Sequence, residues 1–192
     1  MFGHRQVPPG EQRLEPVARE QRLEAVAREH LAFVWRVLRR LGLSTADADD
    51  ATQKVLLTVA RRLDDIEPGR ERAFLSRTAT YIALKSRRTE ERRREDPLLE
   101  RDGAEGVTPN PEELVARRRT LATLDSLLLE LPMELRTPFV LFEIEGMSQD
   151  EIALALDIPR GTVGSRLRRA RERLARLVVI RRGKARAGGG AT

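Results

Sequence analysis

From Leu31 onward, apolar residues recur at the three- and four-residue spacing of a helix. Leu31, Val34, Leu38 and Leu41 form one stripe, Phe33 and Val37 flank it, and Gly42 follows as a helix stop. The pattern predicts a first helix over about residues 24–41. Upstream, RLEPVAREQ (13–21) is followed by its near-copy RLEAVAREH (22–30). At about 100° per residue, such a shift turns a helix through roughly half a revolution, so the two copies face opposite sides and cannot extend one core stripe. The first copy, with its Pro8-Pro9-Gly10 lead-in, therefore reads as a partly disordered extension, 1–23, that the core does without.

Ser44 or Thr45 can cap a second helix. Its apolar positions Ala48, Thr52, Val55, Leu56, Val59 and Leu63 keep helical spacing, while Asp47, Asp49, Asp50, Gln53 and Lys54 stay polar. An acidic first turn suits the positive end of the helix dipole. Glu67-Pro68-Gly69 breaks the chain, and a third helix is predicted over about 72–94, where Phe74, Leu75, Thr78, Ile82 and Leu84 give way to a run of Arg and Glu. These three helices make one small bundle over 24–95. Residues 96–112 carry Pro97, Gly103, Gly106, Pro109 and Pro111 with few large apolar side chains, the composition of a flexible linker.

A second unit, 113–180, opens with Leu114, Leu121, Leu124, Leu127, Leu128 and Leu131 on a helix stopped by Pro132. Thr137 and Pro138 are expected as N-cap and first residue of a short helix over about 139–145, because proline further inside would interrupt it. Gly146 ends that helix. Ser148-Gln149-Asp150-Glu151 is a capping box, in which the Ser148 and Glu151 side chains satisfy each other's free backbone donors at the start of a helix running to Leu156. Asp157-Ile158-Pro159 supplies a turn. The last helix, about 160–177, carries Val163, Leu167, Ala170, Leu174 and Leu177 on one stripe and Arg166, Arg168, Arg169 and Arg173 elsewhere. The Gly- and Ala-rich tail, 181–192, is expected to be disordered. The fold class that follows is all-α: two small helical bundles joined by a flexible linker.

Composition narrows the function. The net charge is +6, carried almost entirely by arginine, which favours a phosphate- or carboxylate-rich partner. With no cysteine, the chain has no disulfide, thiolate zinc site or cysteine nucleophile. There is no phosphate-binding glycine loop, metal-ligand spacing or nucleophile-base set, so neither an enzyme nor a cofactor or metal is expected. Asp49 and Asp50 are neighbours, but no second cluster accompanies them to support acid/base catalysis. No apolar run approaches the length of about 18 residues that spans a bilayer, and MFGHRQVPPG lacks the apolar core of a signal peptide. The reading is a cytoplasmic protein with no membrane insertion.

Two short helices joined by a tight turn, the second strongly basic, match a helix-turn-helix whose second helix enters the major groove. Ile152, Ala153, Leu156, Ile158, Val163 and Leu167 hold the pair together, leaving Arg160, Thr162, Ser165, Arg166, Arg168 and Arg169 as candidates to touch DNA. Arginine binds guanine acceptors through its fork or neutralises phosphate. A basic amphipathic helix is otherwise a solvated face, a reading that the capping box and turn weaken.

The segment LPMELRTPFVLFEIEGMSQDEIALALDIPRGTVGSRLRRARERL (131–174) closely resembles region 4 of the extracytoplasmic-function sigma factors. FVWRVLRRLGLSTADADDATQKVLLTVARRLDDIE and AFLSRTATYIALKSRR resemble region 2 of the same family. The resemblance implies that region 2 docks on the clamp of core RNA polymerase and helps to open the −10 element, while region 4 reads the −35 element and meets the polymerase flap. It implies roles for Asp49, Asp50 and Gln53 on the clamp. It likewise assigns Phe74, Arg77, Tyr81, Lys85, Arg87 and Arg88 to the −10 strand, where flipped bases need aromatic or apolar walls and a basic groove. Phe74 also suits a core position. The loop over 64–72 takes the family's place for gripping a flipped base. Promoter DNA and an anti-sigma factor follow as partners. Three residues depart from the family pattern: Lys54 where an acid is usual, Tyr81 where asparagine is frequent, and Gly164 where lysine is usual. No long C-terminal extension is present, so no appended regulatory domain is expected.

Two other readings fit parts of the chain. A stand-alone helix-turn-helix regulator needs a ligand pocket or dimer seam between Glu24 and Glu95, where neither pattern occurs. A basic scaffold for acidic proteins or membrane surfaces predicts binding without preference among DNA sequences.

Overall fold

The computed structural model describes residues 15–95 and 123–188, and every element among them is helical. In the first half, α1 spans Pro16–Arg40, α2 Thr45–Arg62 with a 3-10 turn at Leu63–Asp65, and α3 Glu71–Glu95. In the second, α4 covers 123–129, α5 Met133–Phe139 runs into a π-helical turn at Val140–Ile144, α6 spans Gln149–Leu156 and α7 Arg160–Gly188. The linker 96–112, Leu114, Leu121 and the tail beyond 188 lie outside the described residues, as do residues 1–14.

Several boundaries follow from local chemistry. Ser44 caps α2, its hydroxyl accepting from the Asp47 amide at 3.1 Å. Ser148 and Glu151 complete the reciprocal box, with bonds of 3.2 Å and 2.7 Å. Asp157 closes α6 in the left-handed region, φ 54°, a conformation that a short polar side chain tolerates. Gly42 turns the chain at φ 110°.

Four expectations need correcting. First, α1 starts at Pro16, a favoured first-turn proline, and not near residue 24. The first copy of the duplication is held by polar contacts: Arg19 donates to the Asp64 carboxylate at 3.3 Å and to the Ala60 carbonyl. Arg22, which opens the second copy, donates to the Leu63 and Ile66 carbonyls at 3.2 and 2.5 Å and to Glu71 at 2.8 Å. Second, Leu31 is exposed, although Val34, Val37, Leu38 and Leu41 are buried. Third, Pro132 is the N-cap and Pro138 lies inside the helix. Without an amide, Pro138 cannot donate to the Glu134 carbonyl, and directly afterwards the helix widens, the Glu145 amide reaching the Val140 carbonyl at 3.0 Å. Fourth, α7 continues through the predicted tail start, and Arg181 ties it to Ser126 and Glu130 at 2.6 and 2.7 Å.

The two halves are packed on one another. A single apolar core runs from Val34, Leu38, Val55, Leu63 and Leu75 of the first half into Leu141, Met147, Ile152, Val163 and Leu167 of the second, while Leu128, Leu131, Leu135, Val140 and Ala170 form a smaller cluster. Charges cross the same boundary. Glu145, with its side chain 2% exposed, accepts from Arg36 at 2.7 and 3.2 Å and from Arg40 at 3.2 Å, and its carbonyl accepts from Arg72. In the opposite direction, Arg136 of α5 donates to the Leu41 carbonyl at the end of α1 at 2.9 Å.

Candidate nucleic-acid interface

The helix-turn-helix is built by α6, the Asp157–Pro159 turn and α7. Val163, Leu167 and Ala170 are buried, and a face of α7 that begins beside this stripe, at half-buried Thr162 and Arg166, turns outward. At the helical repeat, positions 162, 165, 166, 169, 173 and 176 fall within an arc of about 100° on that face. It therefore carries Thr162, Ser165, Arg166 and Arg169 of the predicted set, and also Arg173 and Arg176, which were not among the predicted contacts and are exposed. Their signal was present in the sequence as a four-and-three arginine spacing continuing past Arg169. Arg160 sits at the helix start, paired with Asp150 at 3.5 Å, and Arg168 lies to the side of the face, 3.9 Å from Glu172. The Ser165 hydroxyl donates back to the Thr162 carbonyl at 2.9 Å.

On α3, Phe74, Arg77, Tyr81, Lys85 and Arg88 occupy an arc of about 80°. Tyr81 is 66% exposed, and Lys85 and Arg88 are exposed beside it. Phe74 is half-buried against the core with the Arg62 guanidinium 5.8 Å above its ring. Arg77 pairs with Asp157 at 3.6 Å. Arg87 lies off this arc, on the side of Arg136: burial first, and then the Arg87 charge, push the Arg136 guanidinium down to about 10.

Asp49, Asp50 and Gln53 all project outward from α2. Asp49 and Gln53 line a groove of about 820 Å³ whose floor is Leu31, Ala32, Trp35 and Thr52, with Arg36 on its rim. The Trp35 indole N–H donates to Asp49 at 2.7 Å, which fixes the ring against the groove. Leu31 and Trp35 are the residues that periodicity missed here, since an apolar side chain at helical spacing reads as core whether it faces inward or into a groove. Glu145 holds the Arg36 guanidinium above its usual value, the hydrogen bond outweighing partial burial. Among the described residues no group of three or more acidic, histidine or cysteine side chains is placed to hold a metal ion.

Comparison with known proteins agrees with this division. Residues 26–93 match the family described as Sigma-70 region 2, and residues 121–174 that described as Sigma-70, region 4. The chain is 36% identical over 147 residues to the ECF RNA polymerase sigma factor SigE of Mycolicibacterium smegmatis, covering 76% of this chain and 57% of that protein. It is 35% identical to the RNA polymerase sigma factor CnrH of Cupriavidus metallidurans, covering 73% and 78%. The ECF RNA polymerase sigma-E factor of Escherichia coli is 30% identical, with 67% and 72% covered. Among solved structures, CnrH in complex with the cytosolic domain of CnrY superposes with a TM-score of 0.65 at 26% identity, covering 84% of this chain and 90% of that one. The sigma factor RpoE in complex with the anti-sigma factor NepR from Bartonella quintana shares the fold, with a TM-score of 0.63 at 22% identity and coverage of 84% and 96%. The chain belongs to the ECF RNA polymerase sigma factors.

Proposed function

We propose that this protein binds core RNA polymerase and directs promoter recognition and transcription initiation, with its two halves dividing the work. The observation that carries the reading is the presence of two separate DNA-compatible faces, on α3 and on α7, beside a groove between α1 and α2 that carries Leu31, Trp35, Asp49 and Gln53. A stand-alone regulator needs only one of these.

In this account the α7 face carrying Thr162, Ser165, Arg166 and Arg169 enters the major groove of the −35 element. Arg160, at the helix start, is in reach of a base edge or phosphate, and Arg168 and Arg173 neutralise backbone. Tyr81 and Phe74 offer stacking surfaces to unpaired −10 bases, while Arg77, Lys85, Arg87 and Arg88 neutralise their phosphates. The groove lined by Asp49 and Gln53, with exposed Asp50 next to Asp49 on α2, receives an apolar and basic helix of the polymerase clamp, and the second half also meets the flap. Nucleotide addition is the polymerase's chemistry, so the protein acts as a cytoplasmic specificity subunit without catalytic residues of its own. An anti-sigma factor is a further partner, because related sigma factors have been solved with such proteins bound.

Two substitutions test the assignment in a reconstituted system. Arg166→Ala lowers affinity for −35 duplex by about 1–3 kcal/mol and leaves core polymerase binding intact, as expected for a base-reading residue. Asp50→Arg weakens core binding and leaves the isolated DNA contact intact. If both changes only lower general stability, the two residues are structural and the division of labour is wrong.

A further inference from the structure

The N-terminal turns of α1 reach across to the loop that joins α2 to α3. Arg22 is the hub of that contact. One of its terminal nitrogens donates to the Leu63 carbonyl at 3.2 Å, and the other donates both to the Ile66 carbonyl at 2.5 Å and to the Glu71 carboxylate at 2.8 Å. Leu63 and Ile66 lie at the entry of the loop and Glu71 is the first residue of α3, so a single guanidinium joins the loop's two ends. Arg19, one turn earlier, donates to the Asp64 carboxylate at 3.3 Å and to the carbonyl of Ala60, in the last turn of α2 where carbonyls lack helical partners. The loop's own backbone bonds close separate turns, from the Ile66 amide to Leu63 at 3.2 Å and from the Arg70 amide to Glu67 at 3.0 Å, and neither spans it. Glu67, Pro68, Gly69 and Arg70 are exposed, and Gly69 takes a φ of 84°. The same loop walls a cleft of about 210 Å³, to which the first half contributes Asp65, Ile66, Glu67, Arg70 and Phe74.

We infer that Arg22, with Arg19 behind it, is a positioning residue for base selection in the −10 element, holding the 64–70 loop in the shape that receives an unpaired base. The inference rests on the assignment of α3 and the loop before it to the −10 strand. Telling one base from another requires donors and acceptors held in register with the base edge. Asp65 and Glu67 bring acceptors to the cleft wall and Arg70 brings donors, all three from the loop that Arg22 ties. An untied loop has to be ordered when the base arrives, and the entropy lost then weakens binding, whereas a loop tied in the folded protein is already ordered. Both arginines precede the segment that matches Sigma-70 region 2, which begins at residue 26, so this support comes from the added turns of α1. The duplicated copies are not equivalent in this respect. Arg28, the counterpart of Arg19, is exposed and pairs with Glu24 at 2.5 Å on its own helix.

The test uses holoenzyme assembled from core RNA polymerase and the full-length chain, presented with single-stranded oligonucleotides randomised over a short block. Sequencing of the bound fraction gives the base preference at each position. The position read by the loop is the one whose preference vanishes when EPGR (67–70) is exchanged for GSGS. At that position Arg22→Met should cut the preference about tenfold, the scale of one lost charge-assisted hydrogen bond, while the other positions and core binding keep their wild-type values. Arg19→Met should have a smaller effect at the same position, and Arg28→Ala none. Arg22→Lys keeps the stem and charge but offers one nitrogen where the fork used two, so it should restore part of the preference; it carries the test if the Met variant unfolds α1. In the free chain, amides between Asp64 and Arg70 should exchange about tenfold faster in Arg22→Met, with the protection of buried Val34 and Val55 unchanged.

A wild-type preference at the loop position in both Arg22 variants overturns the inference. Equal loss at every position in Arg22→Lys overturns it too, because Arg22 is then a general structural support. Either result leaves the functional reading standing. If the GSGS exchange alters no position, the loop reads no base, and the inference falls together with the loop's assignment to the −10 strand.

Discussion

Arg136 of α5 donates to the backbone carbonyl of Leu41 at the end of α1 at 2.9 Å, so a buried cation of one half caps a helix of the other. Its second terminal nitrogen donates to the Leu129 and Leu131 carbonyls at 2.6 and 2.8 Å. The residue is 2% exposed and none of these partners is a carboxylate. The carbonyls at helix ends carry partial negative charge, which makes a guanidinium fork a suitable neutraliser.

Arg136→Met keeps the apolar stem but strands three carbonyls, and should cost about 3 kcal/mol by equilibrium unfolding in urea. Burial lowers the Arg136 pKa from its usual value to about 10. For a cation lowered on folding, desolvation opposes the folded state while the group is charged, and that penalty is relieved only as pH rises past the folded value. Between about pH 6 and 9 the guanidinium stays charged in both states, so the difference between wild type and Arg136→Met should be flat with pH. A difference that varies through this window contradicts the assignment.

The capping box makes a second, acid-side prediction. Hydrogen bonds from the Ser148 amide and hydroxyl hold Glu151 below its usual 4.5, against the effect of partial burial and with help from Arg72. A carboxylate lowered on folding stabilises above its unfolded pKa, and the contribution disappears as pH falls through the folded one. Glu151→Gln should therefore lower stability near neutral pH by about 0.5–1 kcal/mol, with the gap closing in acid. Ser148→Ala should cost about 1 kcal/mol near neutral pH. Thermal melts in a pH series check both. A Glu151→Gln gap that persists at the lowest pH shows that the bond geometry matters and the charge does not.

Two glycines should respond with opposite signs. At Gly164 an added Cβ meets only Gln149 Oε1 at 3.6 Å, an ordinary contact, so Gly164→Ala should stabilise α7 by up to about 1 kcal/mol. At Gly42, φ is 110°, and a Cβ would meet Leu129 Cδ2 at 3.0 Å and Arg136 Nη1 at 3.3 Å. Gly42→Ala should destabilise by about 1–2 kcal/mol and loosen the contact between halves. Melting temperatures of the two variants decide the signs.

What the sequence disclosed is the part governed by local rules. Ser44, the Ser148–Glu151 box and the Asp157 turn act within a few residues, and the structure places each where spacing predicts. The N-terminal turns of α1 escaped because Arg19 and Arg22 are anchored by hydrogen bonds to carbonyls some forty residues away, a signal that apolar periodicity does not carry. Proline's usual preference puts Pro138 at a helix start; in the fold it lies inside the helix and the lost bond is absorbed by the π turn that follows. The docking of the halves was hidden for a third reason. Glu145 and Arg136 look like surface charges until their partners, about a hundred positions distant, come into view.

The most direct test of the central claim adds the purified protein to core RNA polymerase and maps initiation across a genomic DNA library. The account predicts a stable complex that starts transcription from a defined subset of sites sharing −35 and −10 sequences, with Asp50→Arg abolishing complex formation and Arg166→Ala weakening site choice. DNA binding with no association to polymerase contradicts it in favour of a stand-alone regulator, and association that leaves initiation sequence-blind contradicts the promoter-reading roles assigned to α3 and α7.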